Sequence, residues 1–211
     1  LVLPNADLDL VADSAVNAGF GSAGERCMAI SVVVAVEPVA DELIEKIATR
    51  MAQIKVGDGR RSCDMGPLVT KEHRDKVASY IEIAEQDGAK VVVDGRAVNP
   101  DGDAAGFWLG PTLIDQVPLS SKVYKEEIFG PVLSVVRVQS YDEGLALINS
   151  GAFGNGTAIF TNDGGAARKF QNEVEVGMIG INVPIPVPVA YFSFGGWKHS
   201  LFGDSRAHGE E

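Results

Sequence analysis

Cys27 stands in the run Phe20-Gly21-Ser22-Ala23-Gly24-Glu25-Arg26-Cys27-Met28-Ala29. Small residues before it let the backbone come close to a ligand. A thiol acts as a nucleophile in its thiolate form, which neighbouring positive charge favours, and Arg26 supplies such a charge. The same residue types also fit a buried structural cysteine. A second cluster, Lys125-Glu126-Glu127-Ile128-Phe129-Gly130-Pro131-Val132, joins two carboxylates to a Phe-Gly-Pro turn and a following apolar strand. An acid and an aromatic at a strand edge can hold a sugar hydroxyl and flank a ring; a Glu pair is also an ordinary solvated feature. In the third, Phe192-Ser193-Phe194-Gly195-Gly196-Trp197-Lys198, two glycines between aromatics allow a tight backbone approach under a bulky wall, or simple core packing. Cys63 matches no such pattern and reads as structural. His73, His199 and His208 lie in polar contexts and read as surface residues, and no spacing suits a metal.

Helices alternating with strands must position these clusters. Leu8, Val11, Ala12 and Ala15 make a helical face, as do Leu43, Ile44, Ile47, Ala48 and Met51 behind a cap at Asp41. Val77, Tyr80, Ile81 and Ala84 mark a third helix closed by Gly88. The runs 30–36, 91–93, 132–138, 157–160 and 178–182 read as strands, with helices over 141–149 and 164–173 between them, the latter turning Ala166, Ala167 and Phe170 inward. Residues 96–110 form a loop-rich tract with turns at Asn99-Pro100 and Asp101-Gly102. The alternation predicts an α/β, three-layer domain with a largely parallel sheet. The prolines of Val183-Pro184-Ile185-Pro186-Val187-Pro188-Val189 exclude helix and central strand and predict a stiff extended segment, a connector or a pocket wall.

At 211 residues the chain is expected to form a single domain over 1–211. A hydrophobic content of 45% suits a packed core, and a net charge of 18 − 29 = −11 argues against nucleic acid or an anionic membrane surface as partner. No apolar run approaches the roughly 20 residues of a membrane span. The opening residues Leu1-Val2-Leu3-Pro4 have no basic region of a signal peptide and no initiator Met, so the expectation is a portion of a longer chain. Two cysteines give no disulfide framework, which suits a reducing compartment: the cytoplasm, or the mitochondrial matrix in a eukaryote.

Taken jointly and in order, these clusters resemble the aldehyde dehydrogenase family. Gly24-Glu25-Arg26-Cys27 is similar to its cysteine motif, Glu126-Glu127-Ile128-Phe129-Gly130-Pro131-Val132 to its Glu-Glu-Ile-Phe-Gly-Pro-Val motif, and Phe194-Gly195-Gly196-Trp197-Lys198 to its C-terminal Phe-Gly-Gly-Tyr-Lys motif. Met65-Gly66-Pro67-Leu68 and Gly110-Pro111-Thr112 fall where that family places them. Glu25 in place of the common glutamine, Arg26-Cys27-Met28-Ala29, the run Gly154-Asn155-Gly156-Thr157-Ala158-Ile159-Phe160 and the proline tract look like the CoA-acylating, methylmalonate-semialdehyde branch.

The resemblance implies the family's catalytic domain, with Cys27 as nucleophile and its backbone N–H as an oxyanion donor. It implies Arg26 as the holder of a substrate carboxylate and Phe194 as an aromatic wall of the aldehyde pocket. Glu127 would hold the nicotinamide ribose and Phe129 contact the nicotinamide side. The implied cofactor is NAD, with CoA as acyl acceptor, a carboxylate-bearing aldehyde as substrate, no metal, and a homo-oligomer in the full-length form. One departure is large: no strand–helix pair bearing a glycine-rich turn and a following acidic ribose ligand is read in the chain, so the family's N-terminal dinucleotide-binding domain is expected to lie outside it. The 211 residues by themselves are therefore expected to bind NAD weakly and to turn over negligibly. A non-catalytic interaction module that keeps the fold stays open as an alternative. A thiol hydrolase would need a histidine base beside Cys27, and no histidine has a supporting context.

Overall fold

The computed structural model describes residues 1–102 and 105–209. They form an α/β protein that divides into two compact units, one of residues 12–33 and 41–136, the other of residues 1–11, 34–40 and 137–209.

The first of these carries the cysteine and the Glu-Glu-Ile-Phe-Gly-Pro motif. Helix α1 (Leu8–Phe20), which belongs to this unit from Ala12 onward, leads to the cysteine loop, and strand β1 (Val32–Val36), which belongs to it through Val33, follows. Helix α2 (Ala40–Met51) buries Leu43, Ile47 and Met51. It begins one residue before Asp41, so Asp41 lies inside the first turn instead of capping it, where a carboxylate still suits the positive end of the helix dipole. Helix α3 (Lys71–Gln86) is longer than its apolar stripe: Thr70 caps it by accepting from the His73 N–H at 3.1 Å, and Val77, Tyr80, Ile81 and Ala84 are all buried. Gly88, at φ +85°, ends it in the left-handed region that glycine enters without strain.

Strand β2 (Lys90–Val93) pairs antiparallel with β3 (Thr112–Asp115), and β3 pairs parallel with β4 (Val132–Val138), Leu113 opposite Leu133. The sheet order is β1-β4-β3-β2. β3 and the one-turn helix α4 (Lys122–Lys125), capped by Ser121, appear where no hydrophobic period marks an element. Leu113, Ile114 and Leu133 are fully buried at the centre of the sheet.

In the other unit, α5 (Tyr141–Ser150) is capped by Ser140, and strand β5 (Phe153–Gly154) pairs with β8 (Trp197–Lys198). Strand β6 (Gly156–Ile159), helix α6 (Gly164–Glu173) and strand β7 (Met178–Ile181) make a parallel crossover closed over Ile159, Ala167 and Phe170. Ala166 is only half-buried, one residue off the inward line. The proline tract is neither helix nor strand and leaves Val183, Val187 and Val189 exposed. No helix among the described residues is long and apolar enough to cross a membrane.

Candidate active site

The cysteine loop starts where α1 stops. A single 3-10 turn, Gly21–Gly24, carries Ser22 at φ 53° and Ala23 at φ 54°, both in the left-handed region that side chains with a Cβ enter at a cost. Its closing bond runs from the Glu25 N–H to the Ser22 carbonyl (3.0 Å), and the Ala29 N–H then bonds the Arg26 carbonyl (3.0 Å). Cys27 and Met28 are the middle residues of that second turn, and Cys27 is exposed, outside any disulfide. The Ile30 N–H returns to the Ala18 carbonyl at 3.3 Å, and Ser31 accepts from the Ser134 N–H at 2.9 Å, which fixes both ends of the loop.

Arg26 folds back onto the helix it follows. Its Nη2 donates to the carbonyls of Asn17 (2.9 Å) and Ala18 (3.2 Å), two orphan acceptors at the C-terminal end of α1. Its Nε is buried without a hydrogen-bond partner. The guanidinium is half-buried, and Gly21 makes room for it: a Cβ there would lie 2.6 Å from Nη2.

The Glu-Glu-Ile-Phe-Gly-Pro motif lies against this loop. Gly24 (φ +71°) meets Gly130 backbone to backbone, so that a Cβ on Gly24 would lie 2.6 Å from the Gly130 carbonyl carbon and closer still to its oxygen. Ile128 is buried and anchors the motif, while Glu126, Glu127 and Phe129 are exposed. Phe129 takes φ 54°. Helix α3 holds the motif along one face. The Tyr80 hydroxyl donates to Glu126 Oε2 at 2.6 Å, Val77 fills the space over Gly130, and His73 Nε2 lies 2.7 Å from the Phe129 carbonyl oxygen. A carbonyl only accepts, so Nε2 carries the proton. The same Nε2 is 3.6 Å from Glu25 Oε1. Burial of Tyr80, with the carboxylate of Glu126 beside it, pushes its phenol up to about 12.

Cys27, Arg26, Glu127 and Phe129 therefore belong to one unit. Phe194 belongs to the other, where it is half-buried, its N–H donates to the His208 carbonyl (2.9 Å) and its ring lies 5.5 Å from the His208 ring. Two histidines depart from the surface reading. His73 is held by Phe129 and Glu25, and His208 is half-buried with its Nδ1 shut away from solvent; His199 is exposed. His73 and Tyr80 escaped notice as site residues. The signal was available: with Val77 they fall at i, i+4 and i+7, so His73 extends the buried stripe of α3 back into a charged first turn. Cys63 is half-buried beside Gly57. Among the described residues no group of three or more His, Cys, Asp or Glu could hold a metal ion.

Fold and site together define an α/β protein built around an exposed, loop-borne thiol pinned to an acidic Phe-Gly-Pro turn. The model of the aldehyde dehydrogenase family matches residues 1–211, and the chain belongs to that family. It is 54% identical over 214 residues to a malonate-semialdehyde dehydrogenase of Pseudomonas aeruginosa, covering 100% of this chain and 43% of that protein. Malonate-semialdehyde dehydrogenase 2 of Geobacillus kaustophilus is 46% identical over 214 residues, with 99% and 43% covered. A solved methylmalonate-semialdehyde dehydrogenase from Oceanimonas doudoroffii superposes with a TM-score of 0.96 at 52% identity, over 99% of this chain and 43% of that one. A protein of Sinorhizobium meliloti 1021 assigned the same activity and complexed with NAD gives 0.95 at 50% identity, over 99% and 43%. The chain thus spans less than half the length of these relatives.

Proposed function

We propose that the chain is the thiol-bearing portion of an NAD-dependent, CoA-acylating dehydrogenase for malonate semialdehyde or its methyl homologue. The observation that supports this best is the exposed thiol of Cys27 on a loop pinned, through Gly24 and Gly130, to the turn that presents Glu127 and Phe129. The residues fit NAD. Tyr80 holds the Glu126 carboxylate, whereas that of Glu127 is exposed and, among the described residues, engaged by no hydrogen bond or ion pair, as a carboxylate meant for ribose hydroxyls would be. The exposed Phe129 would flank the nicotinamide. When bound, NAD supplies a hydride acceptor.

In this reading the Cys27 thiolate adds to the aldehyde carbon, and the backbone N–H of Cys27 stabilises the oxyanion of the thiohemiacetal. Loss of hydride from that carbon leaves a thioester on Cys27. The substrate carboxylate departs as CO2, with a proton taken up at the carbon it leaves. The thiol of CoA then attacks the thioester carbonyl, carries away the acyl group and returns the Cys27 thiolate. Arg26 would take the substrate carboxylate. Both Nη2 protons face Asn17 and Ala18, so the contact runs through Nη1 or follows release from α1.

The test uses the native gene product with malonate semialdehyde, NAD and CoA, quenched in acid for mass spectrometry. An acyl adduct on Cys27, acetyl-CoA as product and a loss of NADH formation by about 10⁴-fold or more in Cys27→Ser are expected. Retained turnover in Cys27→Ser, or a free acid as product with CoA present, would refute the reading.

A further inference from the structure

We propose that His73 is a positioning residue that locks the cysteine loop to the Phe129 turn. The inference rests on the proposed roles of Cys27 and Phe129 but stands on a separate geometry. One imidazole edge faces two loops that are far apart in sequence. Its Nε2–H donates to the Phe129 carbonyl at 2.7 Å, and the same nitrogen is 3.6 Å from the carboxylate of Glu25, two residues before Cys27. Both side chains are shielded, at 26% exposure for His73 and 13% for Glu25, so the imidazole edge and the carboxylate face each other largely out of solvent.

His73 is itself placed from below. Its own N–H is the one that Thr70 caps, so it sits in the first turn of α3, and Val77, one turn on, packs on Gly130. The bond matters because of what it holds. A side chain at φ 54° is a conformation the local sequence disfavours, so Phe129 needs an external restraint on its peptide. The carbonyl that His73 grips belongs to the residue whose ring is proposed to meet the nicotinamide. The carboxylate it faces belongs to the loop whose turn presents the thiol. Slack at His73 therefore changes the relation of thiol to cofactor turn, while the sheet beneath, built on β3 and β4, does not depend on it.

The experiment compares His73→Leu, which removes the donor, with His73→Gln, whose amide N–H can reach the same carbonyl. Three readouts are free of dehydrogenase turnover: the ratio of Cys27 to Cys63 alkylation by iodoacetamide, amide exchange over residues 25–29 and 128–130, and the ring-nitrogen NMR shifts of His73 in the unmodified protein. For His73→Leu, exchange in both segments accelerates by about tenfold, the equivalent of one hydrogen bond, and the alkylation ratio moves about threefold or more. His73→Gln stays close to the parent, and the parent shows a protonated Nε2. An Nδ1–H tautomer in the parent, acceleration in only one segment, an unchanged alkylation ratio, or a Gln variant as perturbed as Leu overturns the proposal. In the native gene product the same pair separates positioning from simple stability: His73→Leu lowers kcat at a temperature where the variant is still fully folded, and Gln restores it. If Cys27→Ser leaves turnover intact, the proposed chemistry fails while the exchange and alkylation results still decide the role of His73.

Discussion

Gly24 and Gly130 meet backbone to backbone, and this contact joins the loop that carries Cys27 to the turn that carries Phe129. Neither residue can gain a side chain without displacement. At Gly24 a Cβ meets the Gly130 peptide, and at Gly130 it would lie 2.6 Å from Val77 Cγ1.

Gly24→Ala is expected to combine two penalties, a left-handed φ of +71° and an overlap with main-chain atoms that cannot rotate away. Their sum is about 2 kcal/mol or more of unfolding free energy, with altered alkylation of Cys27. Gly66→Ala is the control. Nothing lies within 4 Å of a Cβ there, so its effect is expected within about 0.5 kcal/mol. Denaturant unfolding of the two variants checks the difference; equal midpoints would show that the close approach carries no energy.

Much of this arrangement was legible beforehand. The mostly apolar run of β4 and the 164–173 span of α6 agree with the observed bounds, whereas the i, i+3, i+4, i+7 stripe of α3, residues 77–84, marks only the buried half of a helix that runs from Lys71 to Gln86. What escaped has a physical reason. β3 is four residues long and buried on both faces, so it shows no alternation, and α4 is a single turn held mainly by Ser121. The cysteine motif and the Glu-Glu-Ile-Phe-Gly-Pro motif are visible as residues, but their contact is not. It depends on tertiary approach at Gly24 and Gly130 and on a histidine whose neighbours in sequence are all charged or polar. Arg26 is the instructive case. Its charge reads as electrostatic support for the thiol, yet the structure shows it closing the end of α1.

Ser22→Gly is expected to stabilise the protein. Ser22 is exposed at φ 53°, so glycine removes backbone strain and loses no packing. The relief exceeds the extra chain entropy of glycine by about 0.5 kcal/mol. A rise in the unfolding midpoint with an unchanged denaturant slope is the expected observation. A fall would mean that the serine side chain holds the turn.

Arg26 is expected to show a structural cost separable from any role with substrate. Arg26→Met removes both hydrogen bonds to the α1 carbonyls and lowers stability by about 1–2 kcal/mol, with faster amide exchange at the end of α1. Arg26→Lys keeps the charge but not the planar fork. In the native gene product it should raise KM for the semialdehyde more than it lowers kcat. An unchanged KM in both variants would leave Arg26 as a helix clasp alone.

Tyr80→Phe tests how firmly α3 holds the motif from its other contact. The phenol is buried, and its O–H donates to the Glu126 carboxylate at 2.6 Å. Removing it costs about 1–2 kcal/mol, at the lower end for a bond to a charged group because Glu126 is exposed. The pH dependence has a definite sign. An unfolded tyrosine ionises near 10, and in the folded protein burial first, then the Glu126 carboxylate, pushes that pKa up to about 12. The folded state thus keeps the proton longer than the unfolded state does. The associated stability is fully present below pH ~10 and is lost as pH rises toward ~12. Unfolding free energy measured across that window should fall more steeply in the parent than in Tyr80→Phe, which has no phenol to titrate at this position. Parallel slopes in the two proteins would show that the Tyr80 proton is not linked to folding, and that the Tyr80–Glu126 bond is too weak to hold the turn.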